Sequence, residues 1–346
     1  MCMKKFLVVA VPHVGDLIFT QSLLKVLKQQ HLDAEITVMA PPPLRTLLAK
    51  MPEVDHWIAS SLTPGRLELL KRFKLALEVR KHHFDEAFII SNSWKAALVP
   101  FLAGVPRRSG YIGEWRWGLL NHVHKLNTVT TPLMYERFGA LAFNVKAWFK
   151  RPLPVPKLAC NTVELEKVIT KLRLARQDDQ PILAIAIGSA GGETKCWPVG
   201  HQIALAKHYL KLGWQVWLLG SQQEVTKANS IQRATDGRCT AIIGAADLGE
   251  VAELLTMPKV LVGGDTGLLH IAAAVGTPVV GLYGASTPLI APPLTSLSKI
   301  LWLRDSCSPC FKRFCAFHDV HCMQGISVEM VAAAIDELVK ECKTTK

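Results

Sequence analysis

Acidic side chains are in short supply in this 346-residue chain: 28 Asp and Glu stand against 40 Lys and Arg, a formal net charge of +12. Only 20% of residues are charged while 49% are hydrophobic. That balance excludes a chain held disordered by self-repulsion and allows sizeable cores. Also missing is any unbroken apolar run of the ~20 residues that a spanning helix needs. The nearest approach, 266–298, holds no Asp, Glu, Lys or Arg, but Gly276-Thr277-Pro278, Gly281, Gly284 and three further prolines interrupt it. Met1-Cys2-Met3-Lys4-Lys5 and the apolar stretch 6–11 imitate a secretory leader. The stretch is too short for one, and no small-residue cleavage site follows. Nine cysteines without a leader fit a reducing compartment, with thiols free or on a metal. No short-period repeat or low-complexity tract is present.

What is there has an alternating rhythm. Residues 5–11 form a continuous apolar run of the kind buried in a parallel sheet. Pro12-His13-Val14-Gly15-Asp16 ends it, and Leu17, Leu23, Leu24 and Leu27 then recur at helical spacing. Further strands are expected at 35–39 and 86–90, with a helix over 66–82. The stiff segment Arg151-Pro152-Leu153-Pro154-Val155-Pro156 reads as a linker, and a charged helix is expected over 163–174. The rhythm then restarts. Strands are expected at 182–187, 215–219, 240–243, 260–262 and 279–283, with helices over 201–212, 223–234, 248–256, 268–275 and 328–339. Strand–helix alternation with short connections implies an α/β chain of two Rossmann-like doubly wound domains, whose ligands lie outside the strands' carboxyl ends in a central cleft. The expected division is 1–155, 156–180 (linker and helix), 181–326 and 327–346 (a last helix packing back towards the first domain).

Val262-Gly263-Gly264-Asp265-Thr266-Gly267-Leu268-Leu269-His270 carries the strongest local signal. Two glycines admit close backbone approach, and Thr266 can cap a helix whose first amides suit a diphosphate. An ordinary Asp/Thr cap reads equally well, and His270 alone reads as a core histidine. Gly188-Ser189-Ala190-Gly191-Gly192-Glu193-Thr194-Lys195 follows the strand at 182–187 and is a second phosphate candidate, with Lys195 as a point charge. It matches neither a Walker loop nor GxGxxG, which argues against ATP hydrolysis and simple dinucleotide redox. Glu224 after Gly220-Ser221 can accept from ribose hydroxyls or merely start a helix. Asp16, beside Gly15 at a helix start, can be a general base or an early-helix acid. Cys307-x2-Cys310-x4-Cys315-x6-Cys322, enclosing His318 and His321, resembles metal spacing only partly, and reduced thiols in a basic loop are the other reading.

Residues 1–150 hold 20 basic and 11 acidic side chains, and 151–346 hold 20 and 17. A large anion should therefore meet the first half. There Arg80-Lys81-His82-His83, Arg107-Arg108 and Arg116 alternate with Trp94, Tyr111, Trp115 and Trp117, an arrangement usable by nucleic acid or by a phosphorylated glycolipid.

Motifs along nearly the whole chain resemble the ADP-heptose–lipopolysaccharide heptosyltransferases of glycosyltransferase family 9, and among them those that add the second inner-core heptose. They are Val14-Gly15-Asp16 with Gln21-Ser22-Leu23, Val38-Met39-Ala40-Pro41, Met51-Pro52-Glu53-Val54, Asn92-Ser93-Trp94-Lys95-Ala96-Ala97-Leu98-Val99-Pro100-Phe101, Arg108-Ser109-Gly110-Tyr111, Gly118-Leu119-Leu120-Asn121 and Leu133-Met134-Tyr135-Glu136-Arg137. In the second half they are Lys195-x-Trp197-Pro198 and Asp265-Thr266-Gly267-Leu268-x-His270.

The resemblance implies a GT-B fold and inverting transfer of L-glycero-D-manno-heptose from ADP-heptose to the first heptose of heptosyl-Kdo2-lipid A, without a metal or other required cofactor. It places the protein in the cytoplasm, peripheral on the anionic inner membrane, with no nucleic acid as partner. Asp16 becomes the base. Lys195, Ser189 and the backbone at Thr266 and Gly267 become the stabilisers of the leaving diphosphate, with Asp265, Leu268 and His270 around the donor. Asn92, Lys95, Arg107, Arg108 and Arg116 are the expected acceptor contacts, the three arginines on the Kdo and lipid A anions. The family's ribose-binding acid is matched here by Gln222-Gln223-Glu224, a departure that leaves Glu224 as the nearest candidate. Alternatives are a family member adding the first or third heptose, a GT-B-like sugar-nucleotide epimerase, or a basic nucleic-acid-binding protein.

Overall fold

In the computed structural model, which describes residues 3–144, 151–175, 179–317 and 319–344, the opening apolar run is strand β1 (Lys5–Val9), and the chain divides at Lys157 into two units. The first unit continues with α1 (Val14–Gln30), β2 (Glu35–Ala40), α2 (Arg45–Leu48), β3 (His56–Ala59) and α3 (Leu69–Arg80). It ends with β4 (Glu86–Ile89), α4 (Trp94–Leu102), β5 (Arg107–Tyr111), β6 (His122–His124) and α5 (Met134–Ala140). Its six strands are all parallel in the order β3-β2-β1-β4-β5-β6.

The strand at 5–11 stops early because Pro12 follows, and α1 begins at Val14 with Asp16 in its first turn. α1 buries nearly every residue from Leu17 to Leu27 and packs on α5. Gln21, fully buried, grips the end of the unit: its Nε2 donates to the Lys157 carbonyl and its Oε1 accepts from the Lys157 N–H, both at 2.8 Å. The helix expected over 66–82 starts at Leu69. Glu68 sits at φ +46, and the buried Arg72 guanidinium holds the Leu67 and Lys95 carbonyls at 2.6 Å, fixing the preceding loop instead.

The second unit comprises α6 (Thr162–Leu172), β7 (Ile182–Ala186), α7 (Val199–Lys211), β8 (Gln215–Gly220), α8 (Val225–Ala234) and β9 (Thr240–Ile243). There follow α9 (Leu248–Leu254), β10 (Val260–Gly264), α10 (Gly267–Val275), β11 (Val279–Tyr283), β12 (Ser298–Trp302), α11 (His321–Gln324) and α12 (Val328–Thr344). Its parallel order β12-β11-β10-β7-β8-β9 repeats the plan of the first. Strands β7, β10 and β11 are buried along their whole length, which is why they read as unbroken apolar runs. α6 packs on α9, and α12 lies on this unit's own sheet, placing Val331, Ile335 and Leu338 in its core.

Among the described residues, no helix is long and apolar enough to cross a membrane. The elements beyond those expected from the sequence, β3, β5, β6 and β12 with α2, α4, α5 and α11, include three of the four outer strands, whose faces are partly exposed and whose residues are polar or mixed.

One edge of the first sheet holds a histidine pair with one member buried. His124 is buried, edge-on to Tyr111, with its Nε2 3.3 Å from His122 Nδ1. Burial, then the neighbouring His122 and Arg107, pushes its pKa from 6.5 down to about 4. A histidine held neutral in the fold contributes stability that is present above its unfolded value and is lost as pH falls through that window. Urea titrations of the wild type at pH 7 and pH 4.5 should therefore show an acid penalty, on the order of 2 kcal/mol of which disappears in His124→Gln. Equal pH dependence in the two proteins would remove His124 as the cause.

Candidate active site

A doubly wound sheet binds ligands at the carboxyl ends of its strands, where the strand order reverses. In the second unit the reversal falls between β7 and β10, which lie side by side. The loops leaving these two strands are the Gly188–Lys195 turn and Asp265-Thr266, so the topology brings both phosphate candidates to one place. Thr266 is the N-cap of α10: its side chain accepts from the Leu269 N–H at 3.4 Å, leaving the amides of the first turn at the sheet's carboxyl edge. Asp265, Thr266, Gly267 and Leu268 are each half-buried.

Asp265 organises the charges. Lys195 Nζ donates to its Oδ2 at 2.5 Å, and His270 Nε2 lies 3.3 Å from its Oδ1. Burial alone would raise the Asp265 pKa. The hydrogen bond and charge of His270, followed by those of Lys195, outweigh it and hold the carboxyl well below the usual range. The histidine that reads alone as a core residue is buried, and it is also the carboxylate's partner. Lys195 keeps two of its three ammonium N–H groups beyond the Asp265 bond, enough to meet an anion.

Close packing sets the distances. A Cβ on Gly264 would come 2.0 Å from the Lys195 carbonyl oxygen, so only glycine lets β10 and the lysine turn approach this far. A Cβ on Gly188 would fall 2.2 Å from Glu224 Cγ, which places the Glu224 side chain against the end of β7. Its Oε2 accepts from both the Ser221 N–H and Oγ, at 2.8 and 2.7 Å, closing a capping box. The acid thus caps locally, and it also sits beside the Ser189 turn. Ser189 Oγ accepts from the Gly191 N–H at 3.1 Å.

In the first unit the reversal falls between β1 and β4. At that edge lie Asp16 in the first turn of α1, half-buried with its carbonyl accepting from Thr20 Oγ1, Asn92 in the loop after β4, and Lys95 in the first turn of α4. Lys95 Nζ donates to the Gly65 carbonyl at 2.5 Å. Arg116, on the loop after β5, is buried and committed to backbone: it donates to the carbonyls of Ser91 and Tyr111, and to Asn92 Oδ1 at 3.3 Å. It shapes this edge from beneath, while Trp115 and Trp117 on either side of it are exposed.

Arg107 and Arg108 are not brought together with these groups, because they open β5 at the amino end of the sheet. There Arg107 pairs with Glu86 at 3.1 Å, and Arg108 holds the carbonyls of Val105 and Leu119.

The sequence and the fold have counterparts among known proteins. The model of glycosyltransferase family 9 (heptosyltransferase) matches residues 72–321. Lipopolysaccharide heptosyltransferase 2 of Escherichia coli strain K12 is 37% identical over 308 residues, 86% of this chain and 88% of that protein. The chain belongs to glycosyltransferase family 9. Lipooligosaccharide heptosyltransferase 2 of Haemophilus ducreyi is 33% identical over 312 residues, 87% of this chain and 89% of that one. The structure of E. coli ADP-heptose lps heptosyltransferase II matches with TM-score 0.88 at 32% identity, covering 98% of this chain and 99% of that chain. The two parallel sheets are thus the Rossmann-like units of a GT-B glycosyltransferase.

For a family 9 enzyme the cysteine segment has an unexpected place. Among the described residues, no three His, Cys, Asp or Glu side chains are set to hold a metal; His318 lies outside those residues. Cys322 is buried, and burial, then Cys307, Asp305 and the other two thiols, pushes it up to about 11. Backbone N–H groups of Phe317, Val320 and Asp319 pull Cys315 down. The segment instead buttresses the Gly188–Lys195 turn: Thr194 Oγ1 donates to the Lys312 carbonyl at 2.5 Å, and Arg313 Nη2 to the Ala190 carbonyl at 3.3 Å. Gly192, at φ +114, leaves room for the Arg313 backbone. More than a hundred residues separate these partners, so no local pattern announces them.

The two glycine contacts differ in what must yield. Gly264→Ala drives a methyl into backbone and should destabilise the protein by about 1–3 kcal/mol, whereas Gly188→Ala displaces only the Glu224 side chain and should cost less. Thermal melts of the two variants check the order; an equal or reversed ranking would contradict the packing described.

Proposed function

We propose that this chain moves L-glycero-D-manno-heptose from ADP-heptose onto the first heptose of heptosyl-Kdo2-lipid A, with inversion. The observation that carries the reading is the Lys195–Asp265–His270 cluster set at the N-terminus of α10 in a chain 37% identical to a lipopolysaccharide heptosyltransferase 2.

When the acceptor hydroxyl attacks the anomeric carbon, negative charge builds on the departing ADP diphosphate. The α10 amides at Thr266 and Gly267 and the Lys195 ammonium stabilise that charge, with the Ser189 turn beside them. Asp265, kept ionised by His270 and Lys195, holds the lysine in position. Its own negative charge bars it from the phosphates, so it faces the sugar. Glu224 takes the ribose hydroxyls through the carboxylate oxygen that the capping box does not use. In the first unit Asp16 receives the acceptor proton, and its place in the first turn of α1, at the carboxyl end of β1, suits a general base. Asn92 and Lys95, from the facing loop after β4, bind the acceptor sugar, with Arg116 holding Asn92 in place. This chemistry assigns the leaving-group charge to amides and an ammonium, and we propose that no metal is required. The protein works in the cytoplasm, peripheral on the inner membrane, and takes no nucleic acid.

Transfer from ADP-heptose to heptosyl-Kdo2-lipid A, followed by mass spectrometry in EDTA, tests the scheme. The wild type should add one heptose. Asp16→Ala should lower kcat by roughly 10²–10⁴-fold with ADP affinity kept, and Lys195→Ala should lower it by roughly 10²–10³-fold. Wild type that leaves the acceptor unchanged would overturn the substrate assignment, and a nucleotide sugar altered without acceptor would make it an epimerase.

A further inference from the structure

Helix α3 is apolar on two faces, and only one of them is packed. Arg72, Leu75, Ala76 and Val79 turn inward, Leu75, Ala76 and Val79 joining the first unit's core. At about 100° per residue, Leu69, Phe73, Leu77 and Leu70 fall on a second stripe about 100° wide, adjoining the buried one. All four are exposed, Leu70 by 81% and Phe73 by 52%. Single exposed leucines need no explanation, but an ordered stripe of four bulky apolar side chains on one helix does.

The setting of the stripe is basic. Arg66, Lys71, Lys74, Arg80 and Lys81 lie on α3 and its two ends, against Glu68 and Glu78. Glu68 is taken by Lys71 at 2.5 Å, and Lys74 and Lys81 border the stripe. The stripe is also tied to the proposed acceptor loop. Lys95 Nζ bonds the Gly65 carbonyl just before α3, and Arg72 of α3 bonds the Lys95 carbonyl.

We infer that this exposed face of α3 lies on an anionic phospholipid bilayer, with Leu69, Leu70, Phe73 and Leu77 in the acyl boundary and Lys74 and Lys81 at the headgroup phosphates. The occupant follows from charge and shape together. A flat amphipathic helix with lysines along its apolar edge matches a negatively charged interface, where the lysine stems lie along apolar surface and their heads reach the phosphates. The inference rests on the lipid-anchored acceptor of the proposed function, and it gives that acceptor a route: a helix seated on the membrane begins beside the Lys95 loop.

The test is co-sedimentation of the full chain with vesicles free of acceptor, either phosphatidylglycerol with phosphatidylethanolamine or phosphatidylcholine alone. Wild type should pellet with the anionic vesicles, weakly with phosphatidylcholine, and less as salt rises. Leu70→Gln with Phe73→Gln should weaken binding by more than about tenfold, and Lys74→Glu with Lys81→Glu should abolish the preference for anionic lipid. Both double variants should keep the wild-type melting temperature and full transfer to acceptor dispersed in detergent.

Wild type that fails to pellet, or variants that pellet equally well, would overturn the assignment, and normal transfer in detergent would then leave the heptosyltransferase reading standing. Wild type that pellets as expected while transferring no heptose would support the face and sink the reaction instead. A wild-type dimer in sedimentation velocity that Leu70→Gln with Phe73→Gln converts to monomer would assign the stripe to a second copy of the chain and overturn the bilayer.

Discussion

Parallel strands cannot be joined by tight turns, because each must return to its starting edge through a crossover, here usually a helix. Every loop that leaves a strand therefore emerges at the same edge of its sheet, and where the strand order reverses, two such loops meet with no helix between them. The chain meets this constraint twice. In the first unit it joins the loop of Asp16 to that of Asn92 and Lys95. In the second it joins the Ser189–Lys195 turn to Asp265-Thr266. Residues 70 positions apart in sequence, such as Lys195 and Asp265, become an ion pair for this reason.

The charge arrangement at the second edge is asymmetric in a useful way. A mostly buried carboxylate is costly unless it is paired, and Asp265 is paired on both oxygens, by Lys195 and His270. The pairing holds the lysine beside the α10 amides before any ligand arrives. In the proposed reaction, a diphosphate would thus meet positive groups that are already oriented, with little reorganisation left for the moment of bond breaking. The cysteine segment supports the same turn from outside, through the backbone of Lys312 and Arg313, so its contribution does not require its thiols.

The first unit divides its basic residues among different tasks, which a charge count does not reveal. Arg72 and Arg116 are buried and tie loops to carbonyl oxygens. Arg107 and Arg108 serve the opposite end of β5 from the Asp16 loop, pairing with Glu86 and with local carbonyls. Residues such as Lys74 and Lys81 present charge outward. Net charge predicts attraction to an anion, and the fold decides which cations are free to meet it.

Much of this was legible in the amino-acid order. Runs such as Ile182–Ala186 and Val260–Gly264 announce buried parallel strands because both faces must be apolar. Asp265-Thr266-Gly267 announces a capped helix because a threonine oxygen can reach a free amide of the first turn. Local chemistry of this kind is written in neighbouring residues. Three of the four outer strands, β3, β6 and β12, were not legible, since a half-exposed strand such as His56–Ala59 is held by a partner and has no pattern of its own. Nor was the fate of the arginines, because only the fold sets Arg107 at the amino end of β5 beside the Glu86 carboxylate and Arg116 beyond its carboxyl end beside backbone carbonyls. The sequence by itself determined most of the buried strands, the cap and the residue types at the two edges. Which of those residues share an edge was decided by strand order, a long-range property that emerges only when the sheet closes.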